Sequence, residues 1–160
     1  MTNAMAKELP AAGLVHSTFR IARHYPRSPA RVFQAFADKD QVRRWRVDGD
    51  GFVIREFTYD FRVGGGEVSR FAFGDGPEIR LDAQFQEIAR DERIVYSYRM
   101  AAGAQPMSVS LTTIEFRPSG DGAELVFTEQ GVYFGGADEA KGREEGTRYL
   151  LNKLAASLEG

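Results

Sequence analysis

The chain offers few residues of the kinds that do covalent chemistry. Cysteine is absent from all 160 residues, so thiolate nucleophiles, disulfides and Cys-ligated metals are excluded. The two histidines, His16 and His24, fall on one face of an extended strand about 26 Å apart, too far to share a metal. Asp48-Gly49-Asp50-Gly51 opens like a calcium loop, but Phe52 stands where the next oxygen ligand is required. A turn fits it better. Gly64-Gly65-Gly66 lacks both the following helix and the Lys-Ser/Thr pair of a phosphate loop. It reads as a sharp turn or bulge between strands. No Gly-x-Ser-x-Gly occurs, and no serine has an obvious histidine partner. No catalytic residue, metal ligand or cofactor is assigned.

Aromatic residues are the more informative set. Twelve phenylalanines, six tyrosines and one tryptophan make up 12% of the chain. Phe57, Tyr59, Phe61, Phe71, Phe85, Tyr96, Tyr98 and Phe127 fall on expected inward faces of strands. Most would serve as ordinary core. A buried phenol, however, needs a hydrogen-bond partner. Tyr59, Tyr96 and Tyr98 on one concave face therefore imply polar points in an apolar space, the composition of a small-molecule pocket. Arg143 lies at about 320° when Thr147 is set to zero on a helical wheel, inside an apolar stripe with Ala140 and Leu150. A guanidinium there could hold a carboxylate or phosphate of a ligand, or could reach back to solvent along the stripe's edge.

The elements that would position these residues follow from periodicity. Val15 to Tyr25 alternates as a strand. Ser28 is a suitable N-cap and Pro29 a suitable first residue for a helix to Ala37, with Val32, Phe33 and Phe36 on one face. Asp38 could cap a second short helix running to Trp45. Strands are then expected over Phe52–Val63, with Phe57, Tyr59, Phe61 and Val63 on one face, and over Glu67–Phe73, Glu78–Ile88, Arg93–Met100, Met107–Arg117 and Glu124–Val132. Alternation such as Ile79, Leu81, Ala83 and Phe85 against Arg80, Asp82, Gln84 and Gln86 marks an antiparallel sheet with one covered and one wet face. A last helix, about Asp138 to Leu158, gathers Thr147, Leu150, Leu151, Leu154, Ala155 and Leu158 in a stripe roughly 140° wide. Gly142 and Gly146 each cost about 1 kcal/mol against alanine in its first half. Val132 to Gly146 could thus be a mobile gate, or the glycines could permit close packing on the sheet. The expected fold class is α+β: a curved antiparallel sheet of about seven strands gripping a long C-terminal helix, with two short helices after the first strand.

Composition narrows the function class. Lys+Arg is 21 and Asp+Glu 23, a net charge of −2, which argues against a dedicated nucleic-acid binder. No apolar run is long enough to span a membrane, and the N-terminus lacks the pattern of a signal peptide. Residues 1–13 read as a flexible tail and 14–160 as one domain. A cytoplasmic location fits the lack of cysteine.

The order SPARVFQAFAD and Trp45, YDFRVGGGEVSRF, GPEIRLDAQFQEIARDERIVYSY and terminal LLNKLAASLE, spanning about residues 15–159, resembles the helix-grip fold of the START and birch-pollen-allergen (SRPBCC) superfamily. More narrowly, it is similar to the activator-of-heat-shock-protein-90-ATPase-homologue-like branch. Where that branch often has Gly-Trp in its last helix, this chain has Gly146-Thr147. The resemblance implies a cavity between sheet and last helix that takes lipids, polyketides or other apolar molecules. The residues placed on it are Trp45, Phe57, Tyr59, Phe71, Phe85, Tyr96, Tyr98, Phe127, Arg143 and Thr147. The expected function is binding of a small, largely apolar ligand, with room for an acidic group at Arg143. One alternative is an enzyme in the same cavity, with a tyrosine or Glu129 as acid or base. Another is a chaperone-associated or stress-related interaction module, for which the length leaves no separate N-terminal domain of the kind the eukaryotic co-chaperone carries. Either a monomer or a homodimer would be compatible.

Overall fold

The structure is a computed structural model and describes residues 13–49 and 51–159. The expected N-terminal tail, Gly13 apart, lies outside the described residues, as does Asp50 of the Asp-Gly turn. Strand β1 (Val15–Tyr25) leads into helix α1 (Pro29–Ala37) and helix α2 (Lys39–Val42), which widens into a π turn over Arg43–Val47. Strands β2 (Phe52–Tyr59), β3 (Gly66–Phe73), β4 (Ile79–Ala89), β5 (Arg93–Ala102), β6 (Gln105–Ser119) and β7 (Gly122–Tyr133) follow, and helix α3 (Ala137–Ser157) ends the chain.

Local chemistry sets the helix boundaries. Ser28 Oγ accepts the Arg31 amide at 3.2 Å, with Pro29 opening α1. Asp38 then does two things. Its backbone closes α1 on the Gln34 carbonyl, and its carboxylate accepts the amides of Asp40 and Gln41 to start α2. The Asp48 amide reaches the Arg43 carbonyl five residues back, the signature of a π turn. That turn presents Trp45 and its neighbour Arg46 to the same interior.

All strand pairs are antiparallel, in the order β1-β7-β6-β5-β4-β3-β2. This is a meander from β2 to β7, closed by β1 against β7. The covered face packs in two unequal halves. At one end Phe33, Phe36, Trp45 and Phe116 meet edge to face, with ring centroids 5.1–5.5 Å apart. Leu151 and Leu154 of the C-terminal part of α3, with Leu158 just past its end, close over them. The Tyr25 hydroxyl donates to the Leu151 carbonyl at 2.9 Å and fixes this half to β1. At the other end, under the first half of α3, the space is not filled.

Three expectations need correction. The strand predicted over Phe52–Val63 stops at Tyr59. Residues 60–65 turn back through bonds from Arg62 N to Asp60 O and from Gly65 N to Arg62 O, so Val63 stands 57% exposed. A bulge between Ile54 and Glu56 also reverses the alternation within β2. Phe52 and Ile54 therefore face inward before it, and Tyr59 after it. Finally, β6 and β7 extend beyond their predicted ends, leaving only Gly120 and Asp121 as their turn. Val132 and Tyr133, placed in a mobile gate, are strand residues. Gly66 lies so close to β4 that a Cβ would sit 1.9 Å from the Ala83 carbonyl oxygen. Close backbone approach, beside the turn, is what the glycine triplet supplies.

Candidate functional site

The unfilled half is a cavity of about 570 Å³ between the concave sheet, the π turn and α3. Its walls are mostly apolar: Phe52, Ile54 and Phe71 near one rim, Leu81, Met100 and Met107 beside them, Phe85 and Phe127 deeper. The sheet register draws a polar belt across its floor. Glu129 pairs with Thr112, Thr112 with Tyr96 and Tyr96 with Phe85, giving one transverse row on the covered face. The next row runs Tyr59, Glu67, Ala83, Tyr98, Ser110, Gly131. Antiparallel pairing thus gathers residues more than 60 positions apart in the chain.

Two buried carboxylates anchor the belt. Glu129 is 2% exposed. It accepts the Tyr98 hydroxyl at 2.9 Å and the Thr112 hydroxyl at 2.8 Å, and the Tyr133 hydroxyl approaches at 3.5 Å. Tyr133 lies back along its own strand over Gly131, where a Cβ would come within 2.8 Å of Ser110 Oγ and 3.2 Å of the Tyr133 ring. Burial pushes the Glu129 carboxyl upward, while the Thr112 and Tyr98 hydrogen bonds and the Arg143 charge pull it down. The second carboxylate, Glu67, is 4% exposed and forms an ion pair with Arg46, with Ser69 donating to its other oxygen. Burial opposes the Arg46 charge, and Glu67, with Tyr59 and Tyr96, outweighs it and holds the guanidinium protonated.

Arg143 reaches down from α3 into this network. It donates to the Tyr98 hydroxyl at 2.8 Å and to Ser108 Oγ at 2.9 Å, and its guanidinium lies over the rings of Tyr98 and Tyr133. It does not reach back to solvent. Nor is it a free cation awaiting an acid, because its hydrogen bonds and its counter-charge come from the chain itself.

The other expected site residues divide as follows. Trp45 lines the cavity while its indole N–H donates to the Ala35 carbonyl at 2.9 Å. Tyr59 lines it too, with its hydroxyl donated to the Phe36 carbonyl. Phe71, Phe85, Tyr96, Tyr98 and Phe127 all contribute wall. Thr147 does so with its hydroxyl committed to the Arg143 carbonyl. Phe57 is not part of the wall. Buried at 8%, it stacks on Tyr59 beneath the cations of Lys39 and Arg43. Tyr96 lines the cavity next to Thr112, its cross-strand partner on β6 and a hydrogen-bonding neighbour. Thr112 beside it gives its proton to Glu129. Burial raises the Tyr59, Tyr96 and Tyr98 phenols, so all three are neutral donors.

Polar residues absent from the sequence expectation include Arg46, Glu67, Ser69, Ser108 and Tyr133. Four of them had a signal: Glu67 and Ser69 share the parity of Phe71, Ser108 that of Thr112 and Ile114, and Tyr133 that of Phe127. Arg46 had none, since its inward aim depends on the π turn. On the outer face, Arg80–Asp82 and Gln86–Ser97 contacts form a polar surface, interrupted by exposed Val109 and Leu111 on β6.

No group of His, Asp and Glu among the described residues could hold a metal ion, and no helix there is long and apolar enough to cross a membrane. What the site can do chemically is enclose an apolar body and address a few hydrogen bonds to it.

A curved seven-stranded sheet around a long C-terminal helix, with a cavity between them, defines an α+β protein of the helix-grip class. The chain belongs to the family described as Activator of Hsp90 ATPase homolog 1-like protein, whose model matches residues 26–159. It is similar to the solved structure of Mll3558 from Rhizobium loti, with 69% identity and a TM-score of 0.84 over 90% of this chain and 98% of that one. A putative uncharacterized protein from Rhizobium leguminosarum is 35% identical, with a TM-score of 0.86 over 91% and 96% of the two chains. CV1439 from Chromobacterium violaceum is 30% identical, with a TM-score of 0.77 over 89% and 97%. None of the functionally curated proteins matches the chain.

Proposed function

We propose that the protein binds a small, largely apolar molecule in the cavity between its sheet and α3. The carrying observation is the cavity itself: about 570 Å³, aromatic and aliphatic in most of its walls, with a polar belt across its floor and a few polar side chains of α3 at its other side. That volume is within the range of small-molecule sites. Lipid, polyketide and aromatic classes all suit such walls. Affinity would come mainly from apolar burial, at about 25 cal/mol per Å² before ordering costs. The enzyme reading draws less support, because Glu129, the inward carboxylate, already receives hydroxyl protons on both oxygens. The cysteine-free sequence fits work in the cytoplasm.

Trp45, the sole tryptophan, lines the cavity, so its fluorescence reports occupancy. Titration with the neutral dye Nile red should quench Trp45 and brighten the dye, with saturation at one equivalent. A dye that stays dark, or one that brightens equally with a Gly146→Leu variant, would contradict the proposal.

A further inference from the structure

We infer that the cavity selects an uncharged ligand bearing a hydrogen-bond acceptor, addressed to the Tyr96 hydroxyl, and discriminates against carboxylates and phosphates. This rests on the binding function proposed above and specifies its ligand class. Two half-buried arginines in a pocket would ordinarily signal an anion site. Here each is already matched within the chain. Arg46 is paired with Glu67, whose second oxygen takes the Ser69 proton. Arg143 is held by Tyr98 and Ser108 beside Glu129. Glu129 is acceptor-only in this arrangement, since the Tyr98 and Thr112 hydroxyls both point their protons at it. Those two hydrogen bonds favour the ionised carboxylate, against the burial that raises its proton affinity. The remaining charged groups on the lining are Glu139 and Lys153, one of each sign, and Lys153 gives its ammonium to the Asp48 carbonyl at 2.9 Å. The lining therefore carries equal numbers of cations and anions.

An anion entering such a site would lose its water without gaining a free cation, and would lie near Glu67 and Glu129. A neutral carbonyl, ether or hydroxyl oxygen meets no such penalty. Tyr96 is placed to receive it. It sits in the row of Glu129 and Thr112, within reach of the charges of Glu129, Arg46 and Glu67, and lines the cavity.

The test is displacement of Nile red at pH 7 by a matched pair, methyl naphthoate and naphthoate, on three proteins. Wild type should bind the ester at least about tenfold more tightly than the anion. Because an ester is also the more lipophilic partner, the decisive readout is Glu67→Gln. That substitution frees Arg46, and should raise naphthoate affinity by about tenfold while changing ester affinity by less than about threefold. Tyr96→Phe should weaken the ester by about fivefold. Circular dichroism checks that each variant is folded; if Glu67→Gln is not, Arg46→Met with Glu67→Gln serves, and should hold the ester without gaining the anion. Naphthoate binding wild type as tightly as the ester, or a folded Glu67→Gln without gain for the anion, would overturn this inference and leave the binding proposal standing. Failure of Nile red itself to bind would overturn both.

Discussion

Arg143 and Tyr98 tie the cavity half of α3 to the sheet: the guanidinium donates to the phenol oxygen at 2.8 Å, and the same phenol donates to Glu129 at 2.9 Å. The relay joins helix, β5 and β7 across the cavity. The C-terminal half of α3 is secured differently, by buried leucines and by the Tyr25 hydroxyl on the Leu151 carbonyl. One helix thus has two attachments of unlike chemistry.

That division makes the first prediction. Arg143→Met keeps the apolar stem but removes the donors. Hydrogen exchange should accelerate over residues 138–146 and remain slow over 150–156. Global stability should fall by about 1–3 kcal/mol, the range for leaving buried hydrogen-bonding groups unpaired. Uniform acceleration along α3 would show that the two halves are one unit.

Gly142 and Gly146 make the second. Other described glycines have a positive φ or a neighbour within 3.3 Å of the place a Cβ would take. These two have open space and border the cavity. The close-packing explanation for them fails, because there is nothing to pack against. Alanine at either position should raise stability by about 0.5–1 kcal/mol, read as an upward shift in Tm. Leucine at Gly146 should keep that gain yet obstruct the entrance and weaken dye binding by about tenfold or more. A stability loss on Gly→Ala would mean that the helix backbone there is not free.

Glu129 gives a pH dependence. Its folded-state affinity for a proton is raised, chiefly by burial. Above the ordinary carboxylate range the folded protein therefore holds more proton than the unfolded chain, and stability falls as pH rises through that window. Below the unfolded pKa the penalty is gone. Urea titrations of wild type and Glu129→Gln from pH 4 upward should show this as a difference that moves against the wild type with rising pH. A difference moving the other way would mean that the Thr112, Tyr98 and Arg143 interactions outweigh desolvation.

Much of this was legible in the sequence, and the reasons differ by element. The α1 and α2 boundaries were written in Ser28 and Asp38, whose side chains accept amides two or three residues away, and in Pro29 at the first position of α1. Period-two alternation placed β4 and β5, and with them Phe85, Tyr96 and Tyr98 on the covered face. Helical phase turned Arg143 inward, although what it meets there depends on register across β5, β6 and β7. Alternation failed in β2, where one bulged residue put Phe52 and Ile54 on the same face as Phe57 and Tyr59; Phe57 stays on that face but packs against Tyr59 rather than lining the cavity. Arg46 was invisible because π-turn geometry has no periodic signature. The Glu129–Tyr98–Arg143 relay likewise joins residues 31 and 45 positions apart. Only the paired sheet brings them together.

The most direct test of the binding proposal is native mass spectrometry of the purified chain incubated with a lipophilic extract of its native cells, alongside the Gly146→Leu variant. The account predicts a one-to-one adduct on the wild type, released by organic solvent as a small neutral molecule and sharply reduced on the variant. A wild-type spectrum showing the bare chain alone, or an adduct indifferent to Gly146→Leu, would contradict it.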